Sequence, residues 1–469
     1  MADVKTSIVQ FNAATGGGNQ NIESDGGLNG DTPKLVMIYL IGANSDDAAV
    51  VDMLLSIGYA DGTNQFSHGS RWEDDQARCD SAQRASSSHV VTLVEAAGTG
   101  VVAQATWNAW RTTGDTGSNA TGVQINWSTT PTLAFRGVAV FFSGTDFDVD
   151  IGTHQMPGAD DQVENITAPG FEPDLVLFNI SHTVDNVHNN DGHHTHTWMR
   201  SDKSATVEFS FNSVMSDDND ATDHALPLCT AVDAGEGGGV DSGNRTGADL
   251  AIGRAEIFGG GGSGTTSYNA RDFDSSGFSL VTRNSTGAPD DWFVSWCALD
   301  LGGLQSALVT NPKLETTGDH LISGIGFAPQ LTMVLYGRVQ FTSSGEDIQG
   351  SYCFMNNLEE HALCTHVRHG LDNSMDGTRY ITAGAARCHS NVSQGLNPGD
   401  VQMEGTFQGQ VDNGIKINIS NPDQQDLQIP GNFDDVYIAF EDENYDGEGL
   451  LLFRHAVEQV VWNNPLLRM

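Results

Sequence analysis

Gly170-Phe171-Glu172-Pro173-Asp174-Leu175-Val176 opens a short apolar run near the middle of this 469-residue chain, and the opening occurs three times. Asp31-Thr32-Pro33-Lys34-Leu35-Val36 precedes it and Gly326-Phe327-Ala328-Pro329-Gln330-Leu331 follows it. A second apolar run closes each segment, at residues 135–142, 292–299 and 436–440. A repeat of such long period means one structural unit used three times. It predicts an elongated, modular protein of the assembly type and points away from a single catalytic core.

Length agrees with the repeat, because a chain of this size holds about three domains of ordinary size. Each unit is large enough to bury a core without disulfides or metals. Short apolar or alternating runs, at residues 90–94, 123–127, 205–211, 278–282 and 415–419, are separated by Gly, Asn and Asp. That spacing is the signature of an antiparallel sandwich or barrel. The fold expected is all-β: three tandem antiparallel β-sandwich, jelly-roll-like modules with long loops. The expected units are residues 1–148, 149–304 and 305–445, with a C-terminal tail at 446–469. Before each Pro-x-Leu strand, two short strand-like runs read as a hairpin. The best helical candidate is 48–57, with apolar residues at helical spacing behind Ser45 or Asp46 as a cap. Residues 457–467 are weakly amphipathic and read as a tail that docks on a neighbouring subunit.

Charge narrows the partners. There are 61 Asp and Glu against 21 Lys and Arg, a formal charge of −40. Lysine occurs only at Lys5, Lys34, Lys203, Lys313 and Lys416. Such a chain repels nucleic acid and anionic lipid, so neither is an expected partner. Lysine scarcity beside Asp-rich loops suits high salt, where screening shortens and dense carboxylates repel less. No apolar stretch approaches the ~20 residues of a membrane helix. Met1-Ala2-Asp3-Val4-Lys5 shows no secretory pattern, so synthesis in the cytoplasm is expected. Cys79, Cys229, Cys297, Cys353, Cys364 and Cys388 lack C-x-x-C spacing and read as free buried thiols.

The second unit also carries Asp272-Phe273-Asp274-Ser275-Ser276-Gly277-Phe278-Ser279-Leu280 and ends Trp296-Cys297-Ala298-Leu299-Asp300-Leu301-Gly302-Gly303. Together with Gly170-Phe171-Glu172-Pro173, these residues resemble a module of tailed-phage and prophage virion proteins. In that module a Gly-Phe-x-Pro entry leads to an Asp-Gly-Phe-x-Leu strand and an aromatic strand closing on Ala-Leu-Gly-Gly. The third unit keeps the entry and places Asp412-Asn413-Gly414-Ile415-Lys416-Ile417 at the second position. The first keeps Pro33, Leu35 and Val36, with Gly122-Val123-Gln124-Ile125 as its counterpart strand. The resemblance implies a virion surface component such as a turret, decoration or tail-fibre protein, and with the acidity a virus of a halophilic host. Its partners would be further copies of itself, other virion proteins and a host-surface glycoprotein or glycan. Glycine before an aromatic permits positive φ at strand entry, and proline at a strand start sets register. These motifs define a fold and carry no chemistry, so no enzymatic activity is expected. The competing reading is a glycan-binding adhesin or polysaccharide depolymerase, with Trp107, Trp110, Trp127 or Trp198 as a sugar platform.

Two clusters could hold cations. His194 and His196 alternate within a stretch that also holds His182, His188 and His193, so on a strand they face one side and could share a metal. The polar, Gly-containing surroundings favour solvated histidines at an exposed loop tip. Asp442-Glu443-Asn444-Tyr445-Asp446-Gly447 begins like a calcium loop, with Asp442, Asn444 and Asp446 as alternate oxygen donors. Phe453 stands where that loop wants a bidentate Glu, so a complete EF-hand is excluded and the plain alternative is an acidic turn. Asp146, Asp148 and Asp150 form a similar alternating group. No cofactor is required; calcium or magnesium are the ions such groups take. Residues 259–264 satisfy G-x-G-x-x-G by composition and read as a loop.

Overall fold

The computed structural model describes residues 3–73, 80–95, 100–112, 121–154, 163–181, 183–189, 192–200, 207–215, 229–234, 252–258, 262–285, 293–312, 314, 316–339, 347–368, 377–388, 400–421 and 434–442. Between 192 and 272 it describes the backbone alone. The fold is all-β, with no helix among the described residues. Six sheets fall into three pairs.

In the first pair, a large sheet runs in the order β1 (Lys5–Asn12), β11 (Arg136–Ser143), β3 (Leu35–Ile41), β5 (Met53–Ala60), β6 (Gln65–Glu73) and β7 (Asp80–Ser86). Its small partner is β2 (Gly18–Glu23), β10 (Gly122–Thr129), β9 (Val101–Arg111) and β8 (Val91–Val94). The second large sheet is β12 (Asp148–His154), β22 (Phe293–Asp300), β14 (Leu175–Ser181), β16 (Gly192–Arg200), β17 (Val207–Met215) and β18 (Cys229–Ala234). Its partner is β13 (Val163–Ile166), β21 (Gly277–Ser285), β20 (Gly262–Asp274) and β19 (Ile252–Phe258). The third is β23 (Ser306–Pro312), β32 (Asp434–Glu441), β25 (Pro329–Val339), β26 (Asp347–Met355), β27 (Glu360–Arg368) and β28 (Gly377–Ile381). Its partner is β24 (Gly318–Ser323), β31 (Gly414–Asn421), β30 (Val401–Val411) and β29 (Ala385–Cys388). Sheet membership changes between Ser143 and Asp148 and again between Asp300 and Ser306.

The strand after each Pro-x-Leu entry is buried on both faces, which explains its continuous apolar run. In β3, Leu35, Met37, Tyr39 and Ile41 face a central core, while Val36, Ile38 and Leu40 face the small sheet. In β14, Leu175 and Leu177 face the same central core, with Val176, Phe178 and Ile180 turned to the second sandwich. In β25, Leu331, Met333 and Leu335 repeat the pattern, with Val334 inside the third sandwich. The closing strands add Phe142, Leu299 and Phe440 to the centre, and the rings of Phe142 and Phe440 meet edge to face at 5.1 Å. Side-chain burial of this kind contributes about 1.5–3 kcal/mol per large apolar residue. The three sandwiches therefore share one core. The expected elongated string of separate units gives way to a ring of three.

Contacts round the ring are head to tail. β6 and β7 of unit 1 touch β14 and β16 of unit 2; β18 of unit 2 touches β25 of unit 3; β27 and β28 of unit 3 touch β5 of unit 1. Edge strands are exchanged in the same direction. β15 (His188–Asn189) from unit 2 extends the sheet of unit 1 by pairing with β7. β4 (Ala49–Val51) from unit 1 pairs with β28 of unit 3. At the strand entries, Lys34 Nζ donates to the Phe147 carbonyl in the link to unit 2. Asp174 accepts from the Leu301 amide at 2.8 Å, and Gln330 Nε2 donates to the Val4 carbonyl of unit 1 at 3.3 Å.

Two expectations are corrected. The lead-in strands are not a hairpin: β1 pairs with β11 and β2 with β10, in opposite sheets of the sandwich. Residues 48–57 are no helix but β4 and the start of β5, whose eight residues are all buried. Apolar side chains at all but Asp52 and Ser56 satisfy helical spacing by default, so periodicity could not separate the two. Residues 457–467 lie outside the described residues.

Candidate functional site at the seams between units

His194 and His196 sit on β16, opposite Ser181 and Asn179 of β14 and opposite Ser213 and Phe211 of β17. Their backbone thus belongs to an inner strand of a six-stranded sheet and not to a loop tip; their side chains lie outside the described residues. His188 is in β15, opposite Arg84. Asp442 closes the third unit: its amide donates to the Ala328 carbonyl at 2.8 Å, and its Oδ2 accepts from Gln410 Nε2 at 2.9 Å. Asn444 and Asp446 lie outside the described residues, so the calcium-loop reading is undecided there. No group of three or more His, Cys, Asp or Glu side chains able to hold a metal occurs among the described residues. Asp146 accepts from the Asp3 amide at 2.8 Å, Asp148 lies 3.7 Å from Lys34 Nζ, and Asp150 is held above the usual carboxylate range by burial and by Asp61. Trp127 is buried, and Trp107 stacks edge to face on Trp110 at 5.5 Å, both half-buried. Cys297, Cys353 and Cys364 are free and buried. Residues 262–264 of the glycine run start β20.

The described polar chemistry gathers at the seams. Between units 1 and 2, His68 of β6 is 1% exposed. Its Nδ1 lies 2.8 Å from Ser181 Oγ of β14 and its Nε2 2.7 Å from Ser295 Oγ of β22. A hydroxyl can donate or accept, so the two serines satisfy both ring nitrogens in either tautomer. Nearby, Asn179 Nδ2 donates to the Tyr59 hydroxyl across the same seam.

Between units 3 and 1 the residues are different. His361 of β27 and Tyr380 of β28 are 6% and 1% exposed. The Tyr380 hydroxyl lies 2.6 Å from His361 Nδ1, and His361 Nε2 lies 2.9 Å from Glu359 Oε2. Unit 1 closes over this group. Asp25 accepts from Asn356 Nδ2 at 3.2 Å and from Ser7 Oγ at 2.5 Å. Asp46 bridges to Tyr380 and is held by Arg136 Nε at 2.7 Å, and the Asp47 amide donates to the Tyr380 carbonyl at 2.8 Å. Burial keeps His361 neutral, with its pKa lowered to about 4 although Asp25 and Asp46 pull it upward. Burial, and then the Asp25 charge, raises Glu359. Unit 1 packs over His361 and Tyr380, while the Glu359 side chain stays partly exposed.

Sequence reasoning missed these seams. His68, His361 and Tyr380 are isolated residues with no motif spacing. The usable signal was Asn179 and Ser181 interrupting the apolar run that begins at Leu175. No protein-family model, no curated protein and no solved structure matches the chain.

Proposed function

We propose that this protein is a structural component of a virion surface, a capsid turret, decoration or tail-fibre element that projects a rigid β body from the particle. The observation that carries this reading is the ring itself: three copies of one sandwich, with their inner faces sealed in a common core and edge strands exchanged. Three repeated units are spent on a scaffold, with the outer faces of the small sheets left to the surface. The resemblance of Gly170–Pro173, Gly277–Leu280 and Ala298–Gly303 to tailed-phage virion modules supports the same assignment. A charge of −40 suits a body standing in high salt and disfavours nucleic acid as its partner. Its contacts are with other virion proteins and, at its outer loops, with a host-surface glycoprotein or glycan.

Quantitative mass spectrometry of purified particles, with gold labelling by an antibody to this chain, tests the assignment. The expected result is a fixed copy number per particle and surface label. Turnover of host polysaccharide by the purified protein, with no label on particles, would replace it with the depolymerase reading.

A further inference from the structure

Alternation in the small sheet of unit 1 turns Ile22, Val123, Ile125 and Trp127 into the sandwich and leaves Asn19, Asn21, Gln124 and Asn126 on the outer face. Side-chain amides tie the strands together there. Asn108 Nδ2 of β9 donates to Gln124 Oε1 of β10 at 2.6 Å, and Gln124 Nε2 donates to Asn21 Oδ1 of β2 at 2.8 Å. One step along, Asn126 Nδ2 donates to Asn19 Oδ1 at 2.6 Å, and Thr106 stands opposite Asn126 on the other side. At the far end Arg111 and Glu23 neutralise each other at 3.3 Å. In a chain with 61 acidic residues, this face of β2, β10 and β9 carries no uncompensated charge among the described residues. The fold does not require such a ladder. In unit 3 the same register places Asp319, Leu321 and Lys416 where unit 1 has Asn19, Asn21 and Gln124, and only the Asn418–Asp319 rung remains. In unit 2, Val163 and Ser279 take the places of Asn19 and Gln124.

We propose that the amide face of unit 1, built on Asn19, Asn21, Asn108, Gln124 and Asn126, is a binding site for a neutral, hydroxyl-rich glycan chain.

Chemistry, size and charge choose this occupant. Each side-chain amide offers two N–H donors and an oxygen acceptor. The ladder commits one donor of Asn108 and one of Gln124, and fixes both groups in place with their other hydrogen-bonding capacity left for a ligand. Sugar hydroxyls both donate and accept, which is the match such groups offer; a carboxylate or phosphate partner calls for cations. With neighbouring strands about 4.8 Å apart and like-facing residues about 7 Å apart, the grid of five amides and Thr106 covers on the order of 200 Å². A stable protein interface needs about 800 Å² on each partner, so the face is too small to hold a second copy and fits a few sugar rings. A body of charge −40 repels acidic glycans in dilute buffer. In molar salt, where charge is screened within about 3 Å, neutral hydrogen bonds remain for recognition. The proposal rests on the virion-surface reading for the source of the glycan, a host surface.

The whole chain, applied to an array of neutral glucan, mannan and galactan oligosaccharides with sulfated and uronate-bearing glycans beside them, tests the site in dilute buffer and in molar sodium chloride. The result expected is binding to a neutral class that changes little with salt, since screening leaves uncharged contacts alone. Gln124→Glu removes the central donor and adds a charge, and should weaken binding about tenfold, the worth of one or two neutral hydrogen bonds. Asn108→Ala should act in the same direction. Lys416→Gln, at the equivalent place in unit 3, should leave binding unchanged. Absence of neutral-glycan binding, a preference for acidic glycans, or binding undiminished in both unit 1 variants overturns the proposal. The comparison of neutral with acidic glycans needs no variant, so a poorly folded substitution leaves the test intact. Particles labelled for this chain, with no neutral-glycan binding, would sink the site and leave the virion reading standing. Neutral-glycan binding through this face by a chain absent from particles would support the site and sink the virion reading.

Discussion

Gly277 has a counterpart in each unit, and together they show what a single residue contributes. Gly122, Gly277 and Gly414 begin β10, β21 and β31 with φ of +158°, +155° and +149°. A β-carbon there would stand 2.2, 1.9 and 1.9 Å from the carbonyl oxygens of Ile22, Ile166 and Ile322. No side chain fits at those distances, so the small sheet can join its edge strand at that point only through glycine. The Asp-x-x-Gly turn before Gly277 is fixed by Asp274, which accepts from the Ser276 amide at 2.8 Å and from its hydroxyl at 2.6 Å. Gly303 also has positive φ, +92°, but a β-carbon there meets nothing within 4 Å. Gly303→Ala should therefore cost only the conformational strain, about 1–2 kcal/mol. Gly277→Ala must also push back a strand and should cost at least about 3 kcal/mol, the range of a disrupted core. Denaturant unfolding of the two variants measures the difference; equal losses would mean that the edge strand yields freely.

At the scale of elements, the seams are keyed by polar groups set in an apolar centre. His68 reaches from β6 to two hydroxyls on β14 and β22, and no other pairing of units supplies that match among the described residues. Truncation to alanine strands Ser181 and Ser295, each 0% exposed, without their partner. A buried unsatisfied group costs about 1–3 kcal/mol, so His68→Ala should lose about 2–4 kcal/mol once the vacated volume is added. Adding Ser181→Ala and Ser295→Ala should recover part of that loss, because the stranded hydroxyls go with the ring. A triple variant no more stable than H68A would show that the loss is packing alone. The elements themselves were legible to different degrees. The Pro-x-Leu strands, the Gly-x-x-Ile/Leu strands and the closing strands all stand where their residues place them, because each combines a backbone signal with an apolar run. Residues 48–57 were misread because the start of β5, buried on both faces, carries an almost unbroken apolar run with no strand alternation. The two lead-in strands were misread as a hairpin because neighbours in sequence can enter opposite sheets.

At the scale of the whole molecule the all-β class was legible, and the ring was not. What closes the ring is the second buried face of the large sheets, and a strand buried on both sides shows in sequence only as an uninterrupted apolar run. Met37, Leu177 and Met333 give no sign that they face one another's units. Nor does any local signal mark three residues of unit 1 as an edge strand of unit 3. The surface follows from composition more directly. Lys5, Lys34, Arg71, Arg111 and Arg136 are all engaged by carboxylates, with Lys5–Asp31 at 2.5 Å and Arg71–Asp52 at 2.9 Å. Against 61 acidic residues in the chain, the 21 basic ones leave a large uncompensated negative surface. Closing three such units on a common core brings that charge together, and its repulsion is screened over about 10 Å at 0.1 M salt but only about 3 Å at 1 M. The ring should therefore gain stability steadily as sodium chloride rises from dilute buffer to molar concentration. Because the repulsion is a property of the assembled body, the units should come apart before each sandwich melts. Scanning calorimetry across that range should show a melting temperature that climbs with salt, and a transition that broadens or splits at low salt. A melting temperature independent of salt would mean that carboxylate repulsion is not what limits this fold, and would remove the high-salt setting from the functional assignment.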